Sequence, residues 1–238
     1  MSLRIALVTG AARGMGRAIA LRLAEDVSGV AIHYFSRRDE AQELAAAIRD
    51  KGKLAAVFRA DLTKKAQAAG LVKKVAERFA RIDILVNNVG PFLVKPWDQL
   101  EVADWDFALR GNLLGPYFCA KAALPGMRKR KWGRIVNIGY SRAEHLGAFP
   151  TIAPYAVAKT GLLTLTRTAA AAEVGNGITV NMVSPGLMRG GALPPARNLS
   201  EAQIGTFEDV AEAVAFCASD RAAAVTGANL IVAGTWKM

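Results

Sequence analysis

Short apolar runs alternate along this chain with longer stretches in which apolar residues recur at helical spacing. Arg4–Val8 precedes Gly16–Glu25, Val30–Phe35 precedes Glu40–Lys51, and Ala55–Arg59 precedes Ala66–Phe79, before another apolar run at Ile82–Val86. Strands of a parallel sheet are covered on both faces and read as near-continuous apolar runs, while the crossover helices show one apolar stripe. The alternation continues with long helices expected at Trp105–Arg130 and Tyr155–Glu173, ahead of the apolar runs Arg134–Ile138 and Thr179–Val183. A last helix, Phe207–Ala218, precedes the strand-like Asn229–Val232. The pattern predicts an α/β fold, a doubly wound parallel sheet between two helical layers, in one domain over residues 1–238. No change in composition marks a linker, and no repeat of solenoid period occurs.

Composition narrows the setting. The 238 residues are 52% hydrophobic and 21% charged, enough for a large core and too apolar for a disordered chain. No apolar run is long enough to span a bilayer, and Met1-Ser2-Leu3-Arg4 leads directly into a strand, so a cytoplasmic protein without membrane contact is expected. Cys119 and Cys217 fit neither zinc nor redox spacing and read as reduced core thiols. The net charge is +11, and its densest cluster is Arg128-Lys129-Arg130-Lys131. Cations at a helix end first serve the C-terminal dipole, and the cluster has no interleaved aromatic beyond Trp132, so no nucleic-acid partner is expected.

The first strand runs into Thr9-Gly10-Ala11-Ala12-Arg13-Gly14-Met15-Gly16 and then a helix. Glycines there permit a tight turn and let backbone N–H groups approach a pyrophosphate at the helix N-terminus. Tyr155 and Lys159 are four apart, hence one helical turn apart on one face, which sets an ammonium beside a phenol. A neighbouring cation favours the phenolate and draws an acid–base group toward working pH.

The spacing Gly10-x-x-x-Gly14-x-Gly16, with Asp61-Leu62-Thr63, Asn87-Asn88-Val89-Gly90, Asn112, Tyr155 with Lys159, Pro185-Gly186 and Val225-Thr226-Gly227 in that order, resembles the short-chain dehydrogenases/reductases over nearly the whole chain. The resemblance implies a Rossmann fold and a nicotinamide cofactor held by Gly10, Arg13, Gly14, Met15, Gly16, Asp61, Leu62, Asn88, Gly90, Pro185, Gly186 and Met188, together with Tyr155 and Lys159. It implies that Tyr155 transfers the proton while hydride moves, and that Asn112 helps to hold a relay water near Lys159. It also implies a homotetramer or homodimer built on the two long helices.

Three departures shape the expectation. At the end of the second strand, where a site for NADH carries an acid, the chain has Tyr34, and an acidic residue arrives only at Asp39 after Arg37 and Arg38. Ser36, Arg37 and Arg13 suit a 2′-phosphate, so NADPH is expected over NADH. Where the family places a serine to bond the reacting oxygen, Ile138-Gly139 is followed by Tyr140 and then Ser141, fourteen positions before Tyr155. Ser141 reaches the site through a shifted turn, Tyr140 supplies the hydroxyl, or neither does. The family threonine after Pro185-Gly186 is missing, and the stretch to Phe207 is short, implying a truncated lid and an open site. The chain most resembles 3-oxoacyl-carrier-protein reductases, which implies a ketone or carrier-tethered 3-oxoacyl substrate and gives Arg128–Lys131 a use in docking an acidic carrier. A catalytically silent NADPH-binding protein on the same fold is the alternative.

Overall fold

The computed structural model describes residues 3–191 and 203–234. Seven strands alternate with helices: β1 Ile5–Val8, α1 Gly14–Asp26, β2 Gly29–Tyr34, α2 Arg38–Asp50, β3 Leu54–Arg59, α3 Lys65–Phe79 and β4 Ile84–Asn87. The second half follows with α4 Val102–Leu109, α5 Gly115–Arg130, β5 Gly133–Ile138, α6 Ala153–Glu173, β6 Ile178–Pro185, α7 Phe207–Ala218 and β7 Asn229–Val232. All strands pair in parallel in the order β3-β2-β1-β4-β5-β6-β7. The chain reverses its direction of travel across the sheet between β1 and β4, and ligands of such sheets bind in the crevice outside the strand ends at that point.

The period-2 alternation of each strand feeds two cores. Ala6, Val8, Ile84, Val86, Val136 and Ile138 point into the layer of α1, α2 and α7. Leu7, Leu85 and Ile135 point the other way, among α3, α5 and α6. Both cysteines are free and buried. Among the described residues, no helix is long and apolar enough to cross a membrane.

The stretch expected as one helix, Trp105–Arg130, is different in the structure. It begins at Val102 and is interrupted by one π-helical turn, Arg110–Leu114, before α5 resumes. A π turn inserts an extra residue into the helical repeat, and such turns are frequent at functional sites. The basic cluster ends α5 as expected, but half of it is committed internally. Arg128 pairs with the buried Glu173, and Arg130 donates to the carboxylate of Asp83 at 3.2 Å and to the Ile82 carbonyl.

Candidate active site

The glycine-rich loop is shaped by constraints that only glycine meets. Gly10 and Gly14 have φ of 63° and 54°, the left-handed region. A Cβ on Gly16 would lie 2.3 Å from the Gly10 carbonyl oxygen and 2.6 Å from Asn88 Nδ2. Asn88 ties β4 to this loop, donating from Nδ2 to the carbonyls of Thr9 (2.9 Å) and Gly10 (3.2 Å). Thr9 Oγ1 accepts the Asn88 and Val89 N–H groups. At the start of α1, the extended Arg13 supplies no side-chain cap, leaving the first N–H groups of the helix open to the cleft. Gly10, Arg13, Gly14, Met15, Gly16 and Gly90 line that open cleft. A backbone cradle that a single methyl would fill, facing free helical N–H groups, fits a pyrophosphate.

One support was invisible in the sequence. Buried His33 on β2 accepts the Gly10 N–H at Nδ1 (3.0 Å), while Nε2 faces the Ala60 carbonyl at 3.1 Å. With Nδ1 accepting, Nε2 carries the proton. Burial drives the imidazole pKa down to about 4, so the ring stays neutral and keeps this tautomer at physiological pH.

The residues expected around the adenosine end sit on the same rim. Ser36 and Arg37 are exposed beyond β2, and Arg37 lies 3.4 Å from Glu40. Tyr34 is turned into the core. Asp61 accepts the Thr63 N–H (3.0 Å) and hydroxyl (2.6 Å), and the Thr63 hydroxyl is the chief cause of its lowered pKa. Leu62 is buried, so its side chain belongs to the core rather than the cleft. Beside Asp61 the cleft also exposes Arg59 and Lys64, two cations the sequence reading passed over.

On the other side of the switch point, α6 presents Tyr155 and Lys159. Lys159 is buried and donates from Nζ to the Ile138 carbonyl at 2.6 Å. Its desolvation brings the amine down to about 7. The phenol of Tyr155 is pushed up, first by burial and then by Tyr140. The expectation that Lys159 would favour the phenolate is therefore reversed in the chain by itself. Lys159 Nζ lies 5.7 Å from the Tyr155 ring centre and spends a donor on Ile138, and its own charge is disfavoured by burial.

The π turn places Asn112 in this site. Its Nδ2 donates to the carbonyls of Pro91 (2.9 Å) and Ala108 (3.1 Å), while its Oδ1 is buried without a partner. A Cβ on Gly90 would lie 2.4 Å from that Oδ1 and 3.1 Å from Lys159 Nζ, so the orphan acceptor and the amine converge over Gly90. Ser141 donates its N–H to the Pro185 carbonyl at 3.1 Å, and its Oγ is buried without a partner. Tyr140 faces Tyr155 edge-on, with ring centres 5.5 Å apart, and Phe92 packs on Tyr155 at 4.9 Å. Of the two residues offered by the sequence, Tyr140 thus sits against Tyr155, and Ser141 is tied to the end of β6.

Pro185 ends β6, and Gly186 donates to the Val232 carbonyl where a Cβ would meet Ala233 at 2.6 Å. Met188 buries its side chain in the core. The shortened lid expected after Gly191 falls on residues 192–202, outside the described residues. Arg142 and Phe149, from the same β5–α6 loop as Tyr140, and Phe92, from the loop after β4, surround Tyr140 and Tyr155 and carried no sequence signal.

Known proteins resemble the chain over nearly its whole length. The sequence profile of a family described as enoyl-(acyl carrier protein) reductase matches residues 10–235. A 3-oxoacyl-[acyl-carrier-protein] reductase of Staphylococcus epidermidis is 35% identical over 240 residues, covering 96% of this chain and 97% of that protein. A (2S)-[(R)-hydroxy(phenyl)methyl]succinyl-CoA dehydrogenase subunit of Thauera aromatica is 39% identical, covering 97% and 95%. Among solved structures, a blue fluorescent protein from a metagenomic library in complex with NADPH superposes with a TM-score of 0.89 at 32% identity, covering 99% of this chain and 98% of that one. Acetoin dehydrogenase from Salmonella typhimurium gives 0.88 at 28%, covering 99% and 96%. A phosphate-shaped glycine loop at the switch point and a Tyr-Lys pair on α6, in a chain matched end to end by these proteins, make it a member of the short-chain dehydrogenase/reductase family of NAD(P)-dependent oxidoreductases.

Proposed function

We propose that the chain is an NADPH-dependent reductase of ketones or 3-oxoacyl thioesters, in which Tyr155 donates the proton to the carbonyl oxygen. The observation that carries this reading is the convergence of Lys159 Nζ and the unpartnered Asn112 Oδ1 over Gly90, on the Tyr155 side of the phosphate loop. A phenol pushed up by burial stays protonated at neutral pH, which suits a donor to a carbonyl being reduced. Lys159, with a pKa of about 7, can give and take a proton under the same conditions. Asn112 Oδ1 offers the acceptor that orders a water beside that amine. Ser141 Oγ, buried and unpaired, is the hydroxyl of the site free to bond the reacting oxygen.

NADPH, when bound, supplies the hydride. The residues proposed to hold it are the Gly10–Gly16 loop for the pyrophosphate, Asn88, Asp61 and the backbone around Leu62 for the adenosine side, and Gly90, Pro185, Gly186 and the Met188 backbone toward the nicotinamide. Ser36, Arg37 and Arg13, with Arg59 beside them, suit a 2′-phosphate and rank NADPH above NADH. The carrier-linked and coenzyme A-linked substrates named for two relatives support a thioester, and a homotetramer or homodimer through α5 and α6 is part of the same reading.

The test is titration with NADPH and NADH, then NADPH oxidation against acetoacetyl thioesters and simple diketones. Turnover that disappears in Tyr155→Phe, while NADPH binding persists, supports the reading. The presence of Tyr140 beside Tyr155 favours one alternative, a catalytically silent NADPH-binding protein, for which tight NADPH binding without turnover of any carbonyl is the expected result.

A further inference from the structure

Beyond the reacting atoms, the turn after β5 holds a cation with no assigned work. Arg142 stacks its guanidinium on Phe149, 4.8 Å from the ring centre. It lies near enough to the Tyr140 hydroxyl to draw that phenol's pKa down, against a larger upward push from burial. Among the described residues, no carboxylate pairs with it. The nearest acid in sequence, Glu144, is taken by Arg167. Five arginines elsewhere on the fold, Arg4, Arg22, Arg81, Arg128 and Arg130, each close an ion pair instead.

The position is rigid relative to the catalytic helix. Successive turns, Ala143 N–H to the Tyr140 carbonyl (2.8 Å) and His145 N–H to the Arg142 carbonyl (3.0 Å), fix the backbone on both sides of Arg142. Thr160 Oγ1, on α6 next to Lys159, donates to the Ala143 carbonyl at 3.1 Å. Arg142 is therefore two side chains from the Tyr155 phenol, at the carboxyl end of β5 where the crevice opens. A guanidinium carries five donors in a fork matched to carboxylate and phosphate oxygens, and stacking on an aromatic face orients that fork.

We propose that Arg142 is a substrate-recognition residue that binds an anionic group carried by the carbonyl substrate. Phe149 and Tyr140 hold its guanidinium at the mouth of the site. The inference rests on the reductase reading above and narrows its substrate class to carbonyl compounds bearing a carboxylate or phosphate. A charge-assisted pair of this kind discriminates against a neutral isostere by about 10–100-fold.

The experiment uses three probes with wild type and Arg142→Gln: the N-acetylcysteamine thioester of a 3-oxo acid with a free ω-carboxylate, its ω-methyl ester, and the coenzyme A thioester of that methyl ester. A carboxylate subsite gives the first probe the higher kcat/KM over the second. A phosphate subsite gives that advantage to the third. In either case Arg142→Gln, with thermal unfolding matching wild type, loses the advantage because kcat/KM falls far more for the anionic probe than for the neutral one. Equal kcat/KM for all three, or an advantage that survives the substitution, overturns the proposal. Calorimetric binding of the same probes reads the discrimination without turnover. Tighter Arg142-dependent binding of an anionic probe without reduction of any of them overturns the reductase reading and upholds the anion site. Equal binding of the three overturns the anion site.

Discussion

Replacing Lys159 with methionine should stabilise the fold and silence the enzyme, and the two effects can be separated by pH. The amine is 3% exposed, bonds only the Ile138 carbonyl, and has its pKa brought from 10.5 to about 7 by desolvation. The unfolded chain therefore binds more protons than the native one between pH 7 and 10.5, and stability rises with pH across that window. Below pH 7 both states carry the proton, and the native state bears the full cost, on the order of 5 kcal/mol at 1.36 kcal/mol per pH unit. Methionine has similar length and nothing to titrate, so the advantage of Lys159→Met is greatest at pH 6 and shrinks by about 3 kcal/mol by pH 9. For a chain of this size that change corresponds to roughly 6–12 °C in unfolding temperature. The assay is thermal unfolding of wild type and variant from pH 6 to 9 without cofactor, with NADPH oxidation measured alongside. Unfolding curves that stay parallel across this range would refute the idea that a buried, destabilised ammonium sits at this position.

Three further outcomes are expected. Gly16→Ala pushes a methyl to within 2.3 Å of the Gly10 carbonyl, so the loop must move; NADPH affinity should fall and stability drop by about 1–3 kcal/mol, read by fluorescence titration and urea unfolding. If Ser141 bonds the reacting oxygen, Ser141→Ala lowers kcat by about 10²–10³ with NADPH affinity unchanged, whereas the same loss in Tyr140→Phe and not in Ser141→Ala assigns the bond to Tyr140. Asp83→Ala removes a fully buried carboxylate that accepts from Arg81 (2.7 and 2.8 Å), Arg130 (3.2 Å) and the Ile5 N–H (2.9 Å). It should cost about 3 kcal/mol, the low end for a broken buried pair because both arginines reach solvent, and a fall in unfolding temperature smaller than roughly 6 °C would contradict it.

The strand and helix order was legible because parallel strands buried on both faces have no polar alternation to confuse with helix, and α7 and β7 fall where the apolar pattern places them. The edge strand β3 was legible for a weaker reason, since its residues are only partly buried. The interruption at Arg110–Leu114 was not legible: its one breaker, Gly111, does not by itself distinguish a π turn from a continuous helix. In the site, Gly10, Gly16, Tyr155 and Lys159 announced themselves by local spacing. The charge state around Tyr155 did not, because it depends on how deeply Lys159 is buried and on the Ile138 carbonyl, and neither is a property of the segment that carries the pair. His33 was likewise silent, since one histidine in an apolar strand gives no hint that both ring nitrogens are engaged.

The π turn also separates the packing of this helix from its part in the site. Each residue of an α-helix advances its successor by about 100° around the axis. Five residues at the wider pitch of a π turn advance about as far around the axis as four at the α-helical step, so the extra residue is absorbed inside the turn. Deleting one residue between Arg110 and Leu114 would close an ordinary helix and leave the stripe of Cys119, Ala123 and Met127 facing the core it shares with Leu71 and Val75 of α3. What would go is the local bulge that brings Asn112 over Gly90, so one residue of length separates a plain packing helix from a helix that also serves the site.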